Sequence, residues 1–251
     1  MDSRIKEPPT SSQRLTSAEP VSGQSERVLA AGDHVVLGIS PFNAYFSEER
    51  IYELVEWGHR SFRAMHLFVP DEPSTYTLQA IGYAKDKARK KARRQANYLL
   101  NKINRALDRV DLTGTAKSDI VLTWQKLSSN KRFLTMLEEA KHIYAADGEF
   151  QTDCRTEVLR ILKHQSPPDQ RISPDALDLA TEYFLCEMPL FLDSASILGQ
   201  ATSVFAYREC IPLLRKLYSD EYQFAVSPQQ GFAVVKCSTE SEVAALQGMF
   251  I

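Results

Sequence analysis

A run of β-branched and aliphatic residues, HVVLGI at 34–39, breaks an otherwise polar opening and predicts a buried strand ending at Ser40 and Pro41. Beyond it, Ser47 stands in an N-cap position, with Glu48 and Glu49 in the first turn of a helix. Ile51, Leu54, Val55 and Gly58 supply that helix with a stripe at 3.6 spacing. Residues 65–69 read as a second strand, so the opening is a strand–helix–strand unit with a right-handed crossover. A long helix is expected over 85–107, buried along Ala88, Ala92, Ala96, Leu99, Ile103 and Leu107. A short strand at 120–122 and helices near 129–146 and 149–164 follow, then a Pro167-Pro168 break. Ser173 before Pro174 predicts a capped helix to about Glu187, which Pro189 should stop soon afterwards. Residues 203–207 and 232–236 read as late strands, with a last helix after Thr239. The alternation predicts an α/β fold: Rossmann-like, with a mainly parallel central sheet flanked by helices.

Residues 1–27 are rich in Ser, Pro, Gln and charge and read as a flexible tail, leaving 28–251 as a single domain. No apolar run approaches the ~20 residues of a membrane span, and no signal-peptide core opens the chain. A cytoplasmic monomer without membrane contact is expected. Cys154, Cys186, Cys210 and Cys237 are scattered, with no C-x-x-C spacing, and read as reduced packing residues rather than metal ligands. Charge changes the picture more. The chain carries −2 in all, yet residues 85–109 hold ten Lys/Arg against two acids. That segment is +8, so the remainder must stand at −10 to give −2 overall. Lys87, Lys90, Lys91 and Arg94 fall at i, i+3, i+4, i+7 on one helix face, with Lys85 and Arg93 on its flank. Like charges so close repel unless a polyanion lies against them, so a nucleic-acid partner is expected here.

Ser40 lies just past the first strand, where parallel sheets gather their ligands. Alternation puts Val36 and Gly38 on its side of the strand, and the missing side chain of Gly38 suggests a void beneath the hydroxyl. Ser40 is either a nucleophile or a loop cap; the G-x-S-x-G elbow is absent. Tyr183 and Glu187, at i, i+4, face the same way near a helix C-terminus. Glu187 is either a desolvated carboxylate, suited to an ammonium or to proton transfer, or a side chain snorkelling to solvent. Tyr207 ends the 203–207 strand on the face of Phe205, and Asn43 follows Pro41 in a turn.

Three stretches resemble one family. VLGISPFNAYFSEERIYELVEW (36–57), YFLCEMPLF (183–191) and SVFAYR (203–208) are similar in order and spacing to motifs of the bacterial cyclodipeptide synthases. The resemblance spans about residues 30–237. It implies a fold akin to the catalytic domain of class I aminoacyl-tRNA synthetases, without ATP motifs and with no cofactor or metal. It further implies that Ser40 attacks the ester of a first aminoacyl-tRNA and holds the aminoacyl group covalently. Tyr183 and Glu187 would hold the ammonium, Asn43 would orient it and Tyr207 would assist later proton transfers. Lys85, Lys87, Lys90, Lys91, Arg93 and Arg94 would meet the tRNA. Val36, Gly38, Leu190 and Phe205 are expected to line an apolar pocket for the first amino acid. Many relatives carry His where this chain has Arg208, and Tyr where it has Phe133, both in a region tied to the second substrate. Arg208 would there favour an acidic or polar residue.

Two other readings compete. A serine hydrolase needs a His base, yet none of the five histidines falls in the three motifs. A non-catalytic tRNA-binding protein accounts for the basic helix but gives Ser40, Tyr183 and Glu187 no purpose.

Overall fold

The computed structural model describes residues 16–112, 115–165 and 171–237. Strands β1 (Ser17–Pro20), β2 (His34–Gly38), β3 (Ala64–Phe68), β4 (Val121–Leu122), β5 (Ser203–Tyr207) and β6 (Gln230–Lys236) form one sheet in the order β1-β6-β5-β2-β3-β4. All neighbours pair in parallel except β1, which runs antiparallel to β6 at the edge. Helices cover both faces: α1 (Gly23–Ala31), α2 (Glu48–Ser61), α3 (Ser74–Ala80), α4 (Lys85–Leu107), α5 (Lys117–Ile120), α6 (Trp124–Leu127), α7 (Lys131–Ala146), α8 (Gly148–Gln165), α9 (Pro174–Leu198) and α10 (Pro212–Tyr218).

Burial on both faces explains why β2 reads as a continuous apolar run instead of an alternating one. Val35, Leu37, Val204 and Ala206 point into a core shared with α2 and with Leu99, Ile103, Ala106 and Leu107 of α4. Val36, Phe205 and Phe232 point the other way, into a core built with α7, α8, α9 and α10. Ser47 caps α2, its hydroxyl accepting from the Arg50 amide at 3.2 Å. Arg105 and Arg109 of α4 pair with Glu48 and Glu49 in the first turn of α2, at 2.7 and 2.8 Å. The two helices are thus locked side by side.

Three expectations need correction. Residues 17–27 are not a tail. β1 completes the sheet edge, and α1 is capped by Ser22 and closed by Gly32 at φ 64°. Two long-range contacts outweigh the polar composition there: Gln24 Nε2 donates to the carbonyls of Ser227 and Gln230 at 2.8 Å, and the Ser25 hydroxyl accepts from the Phe232 amide at 3.1 Å. Residues 1–15 lie outside the described residues. Second, α9 runs on through Pro189 to Leu198. Proline costs the bond to the carbonyl four residues back. Around it Phe184, Leu185, Met188, Leu190, Phe191 and Leu192 are all buried, and that packing holds the helix. The break comes instead at Asp193, with φ −164° and ψ 62°. Third, the pattern predicts none of α1, α3, α5, α6 or α10, and Ile120, expected in a strand, ends α5. The expected Pro167-Pro168 break and the helix after Thr239 fall outside the described residues.

Candidate active site

β2 has β3 on one side and β5 on the other, so the strand order reverses at β2 and a crevice opens beyond the carboxyl ends of β2 and β5. Each strand delivers one hydroxyl there. Ser40 leaves β2 just after Ile39, whose amide still pairs with the Phe68 carbonyl at 2.9 Å. Tyr207 is the last residue of β5. The Ser40 and Tyr207 hydroxyls meet at 2.9 Å. They open into a cavity of about 460 Å³, which Gly38, Asn43, Tyr183, Glu187, Phe205 and Arg208 also line. That volume suits an amino-acid-sized ligand.

Glu187 gives the cavity its electrostatic character. It faces the cavity from α9 one turn beyond Tyr183, with protein on its other sides. Desolvation pushes its carboxyl up from 4.5 to about 7, against the partial relief of the Tyr183 hydroxyl beside it. The Tyr183 phenol is itself pushed well above its ordinary 10, first by burial and then by the Glu187 charge. Tyr207 rises for the same leading reason, against the hydrogen bond from Ser40. Both phenols therefore keep their protons at neutral pH. A carboxylate this poorly hydrated is matched by a ligand bearing an ammonium.

Asn43 serves the loop as well as the cavity. Its Oδ1 accepts from the Tyr45 amide at 3.0 Å, while its Nδ2 has no partner among the described residues. Arg208 lies in the cavity wall with its charge already met: its guanidinium donates to Glu209 at 2.9 and 3.2 Å and stands 5.3 Å from the Tyr45 ring.

The space over Gly38 is not a void. A Cβ there would stand 2.9 Å from Cε1 of Phe205 and 3.1 Å from Cδ2 of Tyr207, so the two rings fill that level and glycine is what admits them. The same rings close the floor of the cavity. Val36 and Leu190, expected in the pocket, are wholly buried in the core beneath and do not line it. Phe133 is likewise buried, edge-on to Trp124 at 5.7 Å, and is not in the cavity wall.

Other wall residues gave no signal in the sequence. Arg160, Ile161, His164 and Gln165 come from the last turns of α8, and Ser74, Thr77 and Leu78 from α3. No spacing links them to Ser40; only the fold brings them there. His164 is the one histidine in this wall, but the partner of the Ser40 hydroxyl is Tyr207.

Behind the α3 wall runs α4. Its Ala88 and Ala92 pack on Leu78, which itself lines the cavity. Lys85, Lys87, Lys90, Arg93 and Arg94 are exposed and pair with no carboxylate among the described residues. Lys91 is half-buried, its ammonium 2.6 Å from the Tyr83 hydroxyl and 4.2 Å from the ring centre. The basic residues further along are spent internally: Lys102 on the Phe46 carbonyl at 3.0 Å, Arg105 and Arg109 on α2. Among the described residues, the cations of α4 that meet no carboxylate and no carbonyl lie in the first half of the helix. Among the described residues, no three His, Cys, Asp or Glu side chains are grouped to hold a metal ion, and no helix is long and apolar enough to cross a membrane.

The chain is 27% identical over 223 residues to the cyclo(L-leucyl-L-leucyl) synthase of Bacillus subtilis, covering 87% of this chain and 88% of that one. It is also 27% identical to a cyclo(L-tyrosyl-L-tyrosyl) synthase of Mycobacterium tuberculosis, over 91% of this chain and 78% of that protein. The crystal structure of a cyclodipeptide synthase from Bacillus thermoamylovorans superposes with a TM-score of 0.80 at 27% identity, covering 88% and 96% of the two chains. A Mycobacterium tuberculosis structure superposes at TM-score 0.77 and 26% identity over 88% and 93%, and is described as relating cyclodipeptide synthetases to type I tRNA synthetases. The family model for cyclodipeptide synthases matches residues 16–237, from the edge strand to the end of the described chain. With Ser40, Tyr183, Glu187 and Tyr207 gathered at the switch point of a Rossmann-like sheet, this chain belongs to the cyclodipeptide synthase family.

Proposed function

We propose that this enzyme takes two aminoacyl groups from their tRNAs and joins them as a cyclic dipeptide through an aminoacyl-enzyme on Ser40. The observation that carries this reading is the Ser40–Tyr207 hydroxyl pair opening into the same cavity as the desolvated Glu187. Glu187 and the Tyr183 phenol hold the ammonium of the first aminoacyl ester, and Asn43 Nδ2 adds a donor beside it. Ser40 Oγ attacks the ester carbonyl. The Oγ–C bond forms, the bond to the terminal ribose breaks, and the serine proton leaves on the ribose oxygen. Tyr207, a neutral phenol that can give one proton while taking another, lies where it can relay it. The free amine of the second aminoacyl-tRNA then attacks the Ser40 ester and returns the proton to Oγ. The first amine finally attacks the remaining tRNA ester and closes the six-membered ring. Both esters arrive activated, so this route draws on neither ATP nor a metal.

The exposed cations in the first half of α4 would meet the tRNA backbone. This reading takes the enzyme as a monomer acting in the cytoplasm, where charged tRNA is found. Phe184, Phe191, Phe205, Phe232 and Leu214 make the inner wall apolar, favouring an uncharged first amino acid. A serine hydrolase fits less well, because the partner of Ser40 is a phenol whose pKa is raised, not an imidazole. Purified enzyme supplied with aminoacyl-tRNAs should release a diketopiperazine detectable by mass spectrometry. Release of free amino acids alone would support the hydrolase instead.

A further inference from the structure

Phe42 stands two residues after Ser40, in the turn with Pro41, at φ 61°. Left-handed backbone is the habit of glycine and, less often, of Asn and Asp; a bulky ring there costs free energy. Among the described residues, the other non-glycine at positive φ is Asp220, which fits that habit. Phe42 recovers only part of that by burial, since 38% of it remains exposed. Nor does it make a ring contact among the described residues, whereas Phe46 in the same loop is buried against Tyr45 and Tyr207. What Phe42 does is line the cavity beside Ser40 and Asn43, with part of its ring open to solvent.

The reach of the chain limits what this ring can meet. Two residues span at most about 7 Å, so Phe42 stays at the rim of the space around the Ser40 hydroxyl. A substrate attacked by Ser40 at an aminoacyl ester brings its terminal ribose to that space, and the base of the same nucleotide to its rim. An aromatic ring there offers a face on which a nucleobase stacks. We propose that Phe42 stacks on the terminal base of the aminoacyl-tRNA while Ser40 takes its aminoacyl group. The proposal rests on the reading of Ser40 as the acyl acceptor. Stacking would hold the ester against the hydroxyl whatever amino acid it carries, leaving side-chain selection to the inner apolar wall.

The test uses full-length enzyme and aminoacylated minihelices whose last nucleotide carries either adenine or no base. With the adenine substrate, Phe42→Ala should raise KM about tenfold with kcat little changed, and Phe42→Tyr should restore it. Removing the base should cost the wild type a similar factor, and the two changes together should cost no more than either alone. Phe42→Gly relieves the left-handed backbone, so it should melt at or above the wild type while showing the same loss in KM. Losses that multiply, or a wild-type KM for Phe42→Gly on the adenine substrate, would overturn the stacking while leaving Ser40 untouched. Wild-type enzyme that acquires no acyl group on Ser40 from the adenine minihelix would remove both readings.

Discussion

Glu187 is a desolvated carboxylate at the site, and its cost can be measured. A glutamate of the unfolded chain titrates near 4.5 and Glu187 near 7, so between those values the folded state holds the extra proton. Rising pH therefore removes stability across that window, and the full cost persists above it. At 1.36 kcal/mol per unit, the penalty reaches at most about 3 kcal/mol. Glu187→Gln should accordingly raise the thermal midpoint at pH 8 and leave it nearly unchanged at pH 4. The same substitution removes the anion proposed to face the substrate ammonium, and kcat/KM should then fall about 10–100-fold. In the wild type, kcat/KM should decline as pH drops below about 7, as Glu187 of the free enzyme takes up its proton. A variant that gains neither stability at pH 8 nor loses activity would show that Glu187 is solvated. At this scale strand ends and i, i+4 spacing put Ser40 just past β2, Tyr207 at the end of β5 and Tyr183 and Glu187 on one helix face, and all four line the cavity. Spacing left their roles open, and the roles came from the family resemblance alone. The sequence misjudged Gly38, Val36 and Leu190, because whether an apolar side chain lines a cavity or lies beneath its floor depends on rings from another strand.

Among the elements, α4 divides its work along its length. Its second half and the turn after it are tied to α2 by Arg105–Glu48 and Arg109–Glu49 and to the Ser40 loop by Lys102, while Lys85, Lys87, Lys90, Arg93 and Arg94 of its first half pair with no carboxylate among the described residues. Lys87 and Lys90, replaced together by Ala, should weaken tRNA binding and make the dependence of log Kd on log salt shallower by about 1.5–2. Folding should survive, since Ala88, Ala92, Ala96, Leu99 and Ile103 remain buried on the opposite side. An unchanged salt slope would make this face ordinary solvated surface. The bounds of α4 and β5 were legible because a long amphipathic stripe and a short β-branched run each state their own period. α9 was not, because proline is a local signal and the packing that overrides it is not local. β1 and α1 were missed for a similar reason: their partners, β6 and the turn before it, lie more than 200 residues away.

Across the whole molecule, the sheet holds a second polar cluster at the ends of the strands away from the site. His34 Nδ1 meets the Ser203 hydroxyl at 2.8 Å and its Nε2 meets His66 Nδ1 at 2.7 Å, while the Ser194 hydroxyl lies 2.7 Å from both Ser203 Oγ and Gln230 Oε1. These bonds tie β2, β3, β5 and β6 to the kinked end of α9. Burial lowers His34 from 6.5 to about 3, with His66 adding to the shift. Burial likewise lowers His66 to about 4, with nearby Lys126 pushing the same way and Asp119 opposing it. Above about pH 5 both rings are neutral when folded and take up protons only when unfolded, so the stability they contribute is fully present well above pH 6.5 and is lost as pH falls toward 4 and 3. Between pH 7 and 5 the pair should cost about 2–4 kcal/mol, visible as a lower urea midpoint, and His66→Gln should flatten that decline. Because Glu187 acts in the opposite sense over the same range and is common to both proteins, the comparison isolates the histidines. Equal declines would place the acid sensitivity elsewhere.

The claim on which the rest depends is that Ser40 carries an aminoacyl group. Enzyme mixed with one radiolabelled aminoacyl-tRNA, quenched and separated from RNA, should retain label on a peptide containing Ser40, and Ser40→Ala should retain none and yield no cyclic dipeptide. Full turnover by Ser40→Ala, or label that stays on the protein without Ser40, would contradict the account.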